Sequence, residues 1–183
     1  MEALRSAIKD ARSRYVSANP LSQAADEDAA RYLPGGNTRS VLHFDPFPLT
    51  MVKGNGATLT DLDGHTYIDC VGEYSAALFG HTNDIIKSAI SAALDNGVAM
   101  GAPTQYEREL AGLLCERFPG VDQVRFCNSG TEANLMALSS ARIVTGRNKI
   151  LAFNDGYHGG VIKFLGGKCE LNMPFDFAMA DYN

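Results

Sequence analysis

The apolar positions along the chain change period several times, and each change marks a new element. From Ala3 to Val16 and from Leu21 to Tyr32 small apolar residues recur at helical spacing among charges, and the second run stops at Leu33-Pro34-Gly35-Gly36, a breaker cluster. These runs predict two helices forming an N-terminal arm. The period then falls to two. LTMVKGNGATLTDLDGHTYIDC predicts three short strands, about Thr50 to Lys53, Ala57 to Asp61 and Thr66 to Asp69, split by Gly-Asn-Gly and Asp-Gly turns into a small antiparallel meander.

Helical spacing returns with Ile85, Ile86, Ala89, Ile90, Ala93 and Leu94, which predicts a helix from Asn83 to Asn96 stopped by Gly97. A second helix is predicted from Gln105 to Phe118. Then follow a strand over Val124 to Cys127, a helix over Thr131 to Val144, an exit at Thr145-Gly146 and a strand over Lys149 to Phe153. This is a β-α-β unit, the building block of a parallel α/β sheet. Its helix carries Ala133, Met136, Ala137, Ser140, Ala141 and Val144 on one face, small enough to pack closely on a sheet, with Leu135 and Leu138 on another. A helix apolar nearly all round is expected to be buried. Little chain remains after this unit, so the sheet is expected to be incomplete. The expected division is an arm and meander over 1–80 and the beginning of a large α/β domain over 81–183.

With 183 residues, 45% of them hydrophobic, the chain can bury a sizeable core. The formal net charge is −5 with both signs scattered, which offers no footprint for nucleic acid or an anionic membrane surface. Cys70, Cys115, Cys127 and Cys169 lack zinc-ligand spacing and are expected to be buried, reduced thiols. The opening residues contain no continuous apolar core of a secretory signal. No run is long enough to span a bilayer. A cytoplasmic location is the default expectation.

Candidate chemistry concentrates in FCNSGTEANLMALSSAR, Phe126 to Arg142. Ser129, Gly130 and Thr131 sit where a strand gives way to a helix, the crevice at which open α/β sheets bind ligands. A helix start offers unpaired N–H groups and partial positive charge, glycine lets the backbone approach closely, and two hydroxyls can donate to phosphate oxygens. The plainer alternative is a simple helix cap. Thr131 with Glu132 and Asn134 gives no capping box. The chain lacks both the G-x-x-x-x-G-K-[ST] loop and a G-x-G-x-x-G after a strand, which disfavours nucleoside triphosphates and dinucleotides. A smaller phosphorylated cofactor fits better. At the end of the next strand, NDGYHGG (Asn154 to Gly160) places Tyr157 and His158 between glycines, where either ring could lie flat on a planar cofactor or simply cover the sheet edge. His65 and His81, beside turn glycines, are read as structural. Glu73, Tyr74 and Ser75 stand either in a pocket wall or at a solvated strand end.

LPGGNTRSV, the TDLDGHTYIDC meander with LFGH, FCNSGTEANLMALSSAR and GYHGG occur in this order along almost the whole chain. In this it resembles the class III (fold type I) pyridoxal-phosphate-dependent aminotransferases, in particular the β-phenylalanine-type β-amino acid aminotransferases, with glutamate-1-semialdehyde aminomutases nearby. The resemblance implies that Ser129, Gly130 and Thr131 hold the phosphate of pyridoxal 5′-phosphate, and that Tyr157 stacks on its ring with His158 alongside. It also implies that Arg39 binds the substrate carboxylate, a task suited to its planar fork. Aminomutases typically read N-S-P-V-R where this chain reads N-T-R-S-V, which favours the aminotransferase. Substrates would be an amino acid, a β-amino acid in the leading reading, and a 2-oxo acid. The partner would be a second copy in a homodimer.

Pyridoxal phosphate chemistry also needs a Schiff-base lysine and a carboxylate at the ring nitrogen. The family places both downstream of GYHGG. Lys9, Lys53, Lys87, Lys149, Lys163 and Lys168 do not match that lysine, although Lys168 lies in a glycine-flanked loop. No catalytic residue is therefore assigned, and the 183-residue chain is expected to be an N-terminal portion, inactive alone. An aminomutase-like isomerase, an inactive truncated remnant and a stand-alone phosphate-binding module are the alternatives.

Overall fold

The computed structural model describes residues 2–167 and 169–182. It separates into two compact units, Met1–Met100 and Gly101–Asn183.

The first unit opens with α1 (Glu2–Ala18) and α2 (Pro20–Ala29). Proline at the first position of α2 costs nothing, because that N–H would be unpaired anyway. Asn19 precedes the helix without capping it through its side chain. The cap comes from far along the chain: the Asp63 carboxylate accepts from Leu21 N at 2.8 Å and Ser22 N at 3.0 Å. Asp63 lies in the turn between β2 (Thr58–Asp61) and β3 (Thr66–Ile68), which with β1 (Met51–Asn55) form an antiparallel sheet in the order β1-β2-β3. Met51 faces Asp61 and Asn55 faces Thr58, with a bulge between Met51 and Lys53, while Thr58 faces Ile68.

Arm and meander are joined largely through polar groups. Ser22 is fully buried and its hydroxyl accepts from Thr50 N. The Tyr15 hydroxyl donates to the Phe47 carbonyl at 2.7 Å, and the two rings lie 5.0 Å apart. Asp61 is buried and takes hydrogen bonds from the Tyr67 hydroxyl at 2.8 Å and the His65 amide at 2.7 Å, with His65 Nδ1 at 3.0 Å. Burial opposes its ionisation, but the Tyr67 and His65 bonds outweigh that and hold the carboxyl below its ordinary range. His81 Nε2 meets Asp69 Oδ2 at 2.8 Å. Asn83 caps α3 (Asp84–Asp95), its side chain accepting from Ile85 N and Ile86 N.

The second unit holds α4 (Gln105–Arg117), α5 (Gly130–Thr145), β4 (Lys149–Phe153) and β5 (Asp176–Ala180). β4 and β5 pair in parallel, Lys149 opposite Asp176 and Phe153 opposite Ala180. The α/β class stands, with two corrections. Residues 124–127 form no strand, because an extended segment becomes one only beside a neighbour that takes up its N–H and C=O groups. The observed parallel pair is β4 with β5. The small-residue face of α5 is also not the packed one. Leu135 and Leu138 lie against the core of Ala152, Ile162 and Phe164, joined by Val161 and Phe177, whereas Val144 is 85% exposed and no residue of α5 is fully buried. Large branched side chains gain more from leaving water than alanines do, and they sit on the face turned to the only buried apolar cluster of this unit among the described residues.

All four cysteines are free; Cys70 is exposed and the other three half-buried. Among the described residues no helix is long and apolar enough to cross a membrane.

Candidate functional site

Ser129 stands in extended conformation at the start of α5 and its hydroxyl accepts from Glu132 N at 3.1 Å. The Glu132 carboxylate reaches back to Asn128 N at 2.8 Å. Ser129-Gly130-Thr131-Glu132 therefore behaves as an S-x-x-E capping box whose acid bonds one residue further out than usual. This corrects the sequence reading, which sought the box from Thr131. The first-turn amides of Gly130 and Thr131 have no acceptor within the helix, and a Cβ built on Gly130 would meet nothing within 4 Å. The backbone is open to a ligand there.

The loop after β4 folds over this helix start. Thr131 Oγ1 accepts from Gly160 N at 3.1 Å, and Asn134 Nδ2 donates to the His158 carbonyl at 2.8 Å. Gly159 makes the approach possible: its φ is 128°, and a Cβ there would stand 2.8 Å from Thr131 Cα. Behind the loop, Ile162 and Phe164 enter the core, while His158 N bonds to Ile162 O and Phe164 N to Gly156 O. The loop is thus pinned at both ends. The alternation Val161-Ile162-Lys163-Phe164 was the available signal for this anchor, and Asn134, on the turn of α5 that faces the loop, was missed as well.

Between helix start and loop lies a cavity of about 370 Å³ lined by Ser129, Gly130, Thr131, Asn134, Tyr157, His158 and Gly159. The structure thus brings together all five residues read as cofactor ligands. Because the Ser129 and Thr131 oxygens already accept from backbone amides, their hydrogens remain to be donated into the cavity. Donors from two hydroxyls and a helix start, sharing one cavity with the half-exposed Tyr157 ring, fit a phosphate linked to a small planar ring.

Arg39 belongs to the first unit, where its guanidinium forms an ion pair with Glu73. Glu73 lies in the turn Gly72–Ser75, which also walls a cavity of about 630 Å³ lined by Asp69, Ser75 and His81 among others. Ser75 faces this cavity, while Glu73 turns to Arg39. Glu73, Tyr74 and Ser75 have φ of 48°, 53° and 80°, a left-handed run that costs on the order of 1–2 kcal/mol per non-glycine residue. The Asp69 carboxylate pins its entry by accepting from Val71 N and Gly72 N, both at 2.9 Å. These amide bonds, with His81 adding to them against the cost of burial, hold the Asp69 carboxyl below its usual range. Lys168 lies outside the described residues.

A beta-phenylalanine transaminase from Variovorax paradoxus is 49% identical over 181 residues, covering 99% of this chain and 42% of that protein. The crystal structure of a beta-phenylalanine aminotransferase from Variovorax paradoxus superposes with a TM-score of 0.93 at 48% identity, over 97% of this chain and 41% of the other. A glutamate-1-semialdehyde aminomutase from Pseudomonas aeruginosa PAO1, solved in complex with PMP, gives a TM-score of 0.75 at 30% identity over 84% of this chain and 34% of its own. The chain spans about two fifths of the length of the transaminase it matches. The profile of Aminotransferase class-III covers residues 42–172, a span that takes in the meander, the start of α5 and the Tyr157 loop, and by it the chain belongs to the class III aminotransferases.

Proposed function

We propose that this chain carries the phosphate grip and ring-stacking surface of a pyridoxal 5′-phosphate-dependent aminotransferase acting on a β-amino acid with a 2-oxo acid as acceptor. The observation that carries the reading is the meeting of the Ser129-Gly130-Thr131 helix start with the Tyr157-His158-Gly159 loop across one cavity of matching size and donor chemistry. The similarity to beta-phenylalanine transaminase supports the substrate class. When bound, the cofactor supplies an electron-accepting ring that allows an amino group to leave one carbon and later join another.

The chain's own residues hold and orient. Ser129 and Thr131 hydroxyls and the first-turn amides bind the phosphate dianion, with the helix dipole in support. Tyr157 would stack on the cofactor ring with His158 alongside, on a loop that Asn134 and the Gly159 contact hold in place. Arg39 receives the substrate carboxylate. We further propose that the whole protein works as a homodimer.

The test is binding of pyridoxamine 5′-phosphate, which has no aldehyde to react with surface lysines, compared with pyridoxamine. The 183-residue chain should bind the phosphorylated form more tightly. Thr131→Ala should weaken it by about ten- to a hundredfold, the value of a hydrogen bond to a charged group, and Thr131→Ser should retain it. Equal binding of both probes by the wild type would sink the reading. The aminomutase similarity gives a second reading: a whole protein that isomerises its substrate without any 2-oxo acid would establish it instead.

A further inference from the structure

The Arg39–Glu73 ion pair joins residues far apart in sequence, with side chains about half exposed on both sides. A guanidinium waiting for a carboxylate is here already facing one. Glu73 is not there by chance of a flexible surface arm, because its backbone lies in the left-handed region between two further positive-φ residues. Tyr74 N bonds to Val71 O at 3.0 Å, Ala76 N to Glu73 O at 3.1 Å and Ala77 N to Gly72 O at 2.9 Å, while Asp69 holds the turn's entry. A strained conformation fixed from several sides is a feature of ligand clamps and switches. Here it presents one carboxylate to one arginine.

We propose that Glu73 is the competing counter-ion of Arg39, an internal carboxylate that a substrate's carboxylate must displace from the guanidinium fork. The proposal rests on the reading of Arg39 as the carboxylate-binding residue. Its consequence is competition: a bidentate carboxylate can take the planar fork only by displacing Glu73 from it. Glu73 thereby lowers the affinity for ligands that carry a carboxylate.

The experiment uses 3-phenylpropanoate as probe and the 183-residue chain, with the Arg39 Nε–H signal and the Glu73 side-chain carboxyl carbon followed by NMR. In the wild type both signals should move together as the probe is added, because Glu73 is released as the fork is taken. In Glu73→Gln the dissociation constant should fall about two- to fivefold, the scale of a half-exposed ion pair. Glu73→Asp should stay close to wild type, and Arg39→Ala should lose the binding. If Arg39→Ala binds as well as wild type, or if neither wild type nor Glu73→Gln binds, the reading of Arg39 fails. If Arg39→Ala abolishes binding but Glu73→Gln binds no tighter, or the Glu73 signal stays still while Arg39 moves, the counter-ion proposal alone is overturned.

Discussion

At the scale of single residues, two glycines at the candidate site make opposite demands. Gly130 faces open space at the first turn of α5, so Gly130→Ala should change stability by no more than about 1 kcal/mol. Gly159 has φ of 128° and lies against Thr131, so Gly159→Ala should destabilise the second unit by roughly 2–3 kcal/mol through strain and overlap. Both should weaken pyridoxamine 5′-phosphate, the first by blocking the approach of the phosphate and the second by moving the loop. Urea melts beside dialysis measurements separate the two, and an unchanged affinity for Gly130→Ala would remove close backbone approach from the account of the site. The meeting of Ser129, Gly130, Thr131, Tyr157 and His158 at one cavity was legible because helix starts and glycine-flanked aromatics are local patterns. The Arg39–Glu73 pair was not, since nothing local in either stretch encodes a contact that depends on a left-handed turn.

At the scale of elements, Ser129 caps α5 and, in the proposed site, would also donate to the phosphate, two jobs that substitution can part. Ser129→Ala removes the cap and should cost about 1 kcal/mol, and it would also remove the proposed phosphate donor. Ser129→Asp keeps the cap, because a carboxylate accepts from Glu132 N as well as a hydroxyl does, but sets a negative charge beside the phosphate. It should melt like wild type and fail to hold pyridoxamine 5′-phosphate; retention of the ligand would show that Ser129 only caps. The arm and meander make a separate prediction about acid. Burial disfavours ionised Asp63, yet bonds from Leu21 N and from Ser22 leave its carboxyl below the ordinary range, and Asp61 behaves alike. Both therefore favour the folded state above the unfolded carboxyl value of about 4, and this stability is lost as pH falls through their lower folded values. Urea midpoints of the first unit should drop below pH 4, and Asp61→Asn should lower the neutral midpoint and flatten the acid limb. Tyr67 marks the alkaline side, pushed up to about 12 by burial and by Asp61. The meander and α3 were readable because Asp-Gly and Asn signals act within a few residues; 124–127 misled because an apolar run names a strand only if a partner exists.

At the scale of the molecule, surface is the deciding quantity. The chain exposes 14225 Å², whereas a folded monomer of 19.7 kDa exposes about 8,600 Å² and two independent domains of half that mass about 10,400 Å² together. The excess over even two domains, on the order of 4,000 Å², is the size of a large protein interface, and much of it is apolar. On α3, Ile86, Ile90 and Leu94 form one stripe at helical spacing, and no residue of that helix is buried. The helix over Thr131 to Val144, expected to be buried, likewise has no buried residue: a stripe records what a helix is built to pack against. The isolated chain should therefore bind 8-anilinonaphthalene-1-sulfonate strongly and sediment as a concentration-dependent mixture. Replacing Ile86, Ile90 and Leu94 together by lysine should cut dye binding and sharpen the sedimentation boundary. Because none of the three is buried, the midpoint of the first unit should stay within about 0.5 kcal/mol per substitution. A monodisperse wild-type chain that melts cooperatively without binding the dye would refute this account, since the exposed stripe could not then be solvent-facing.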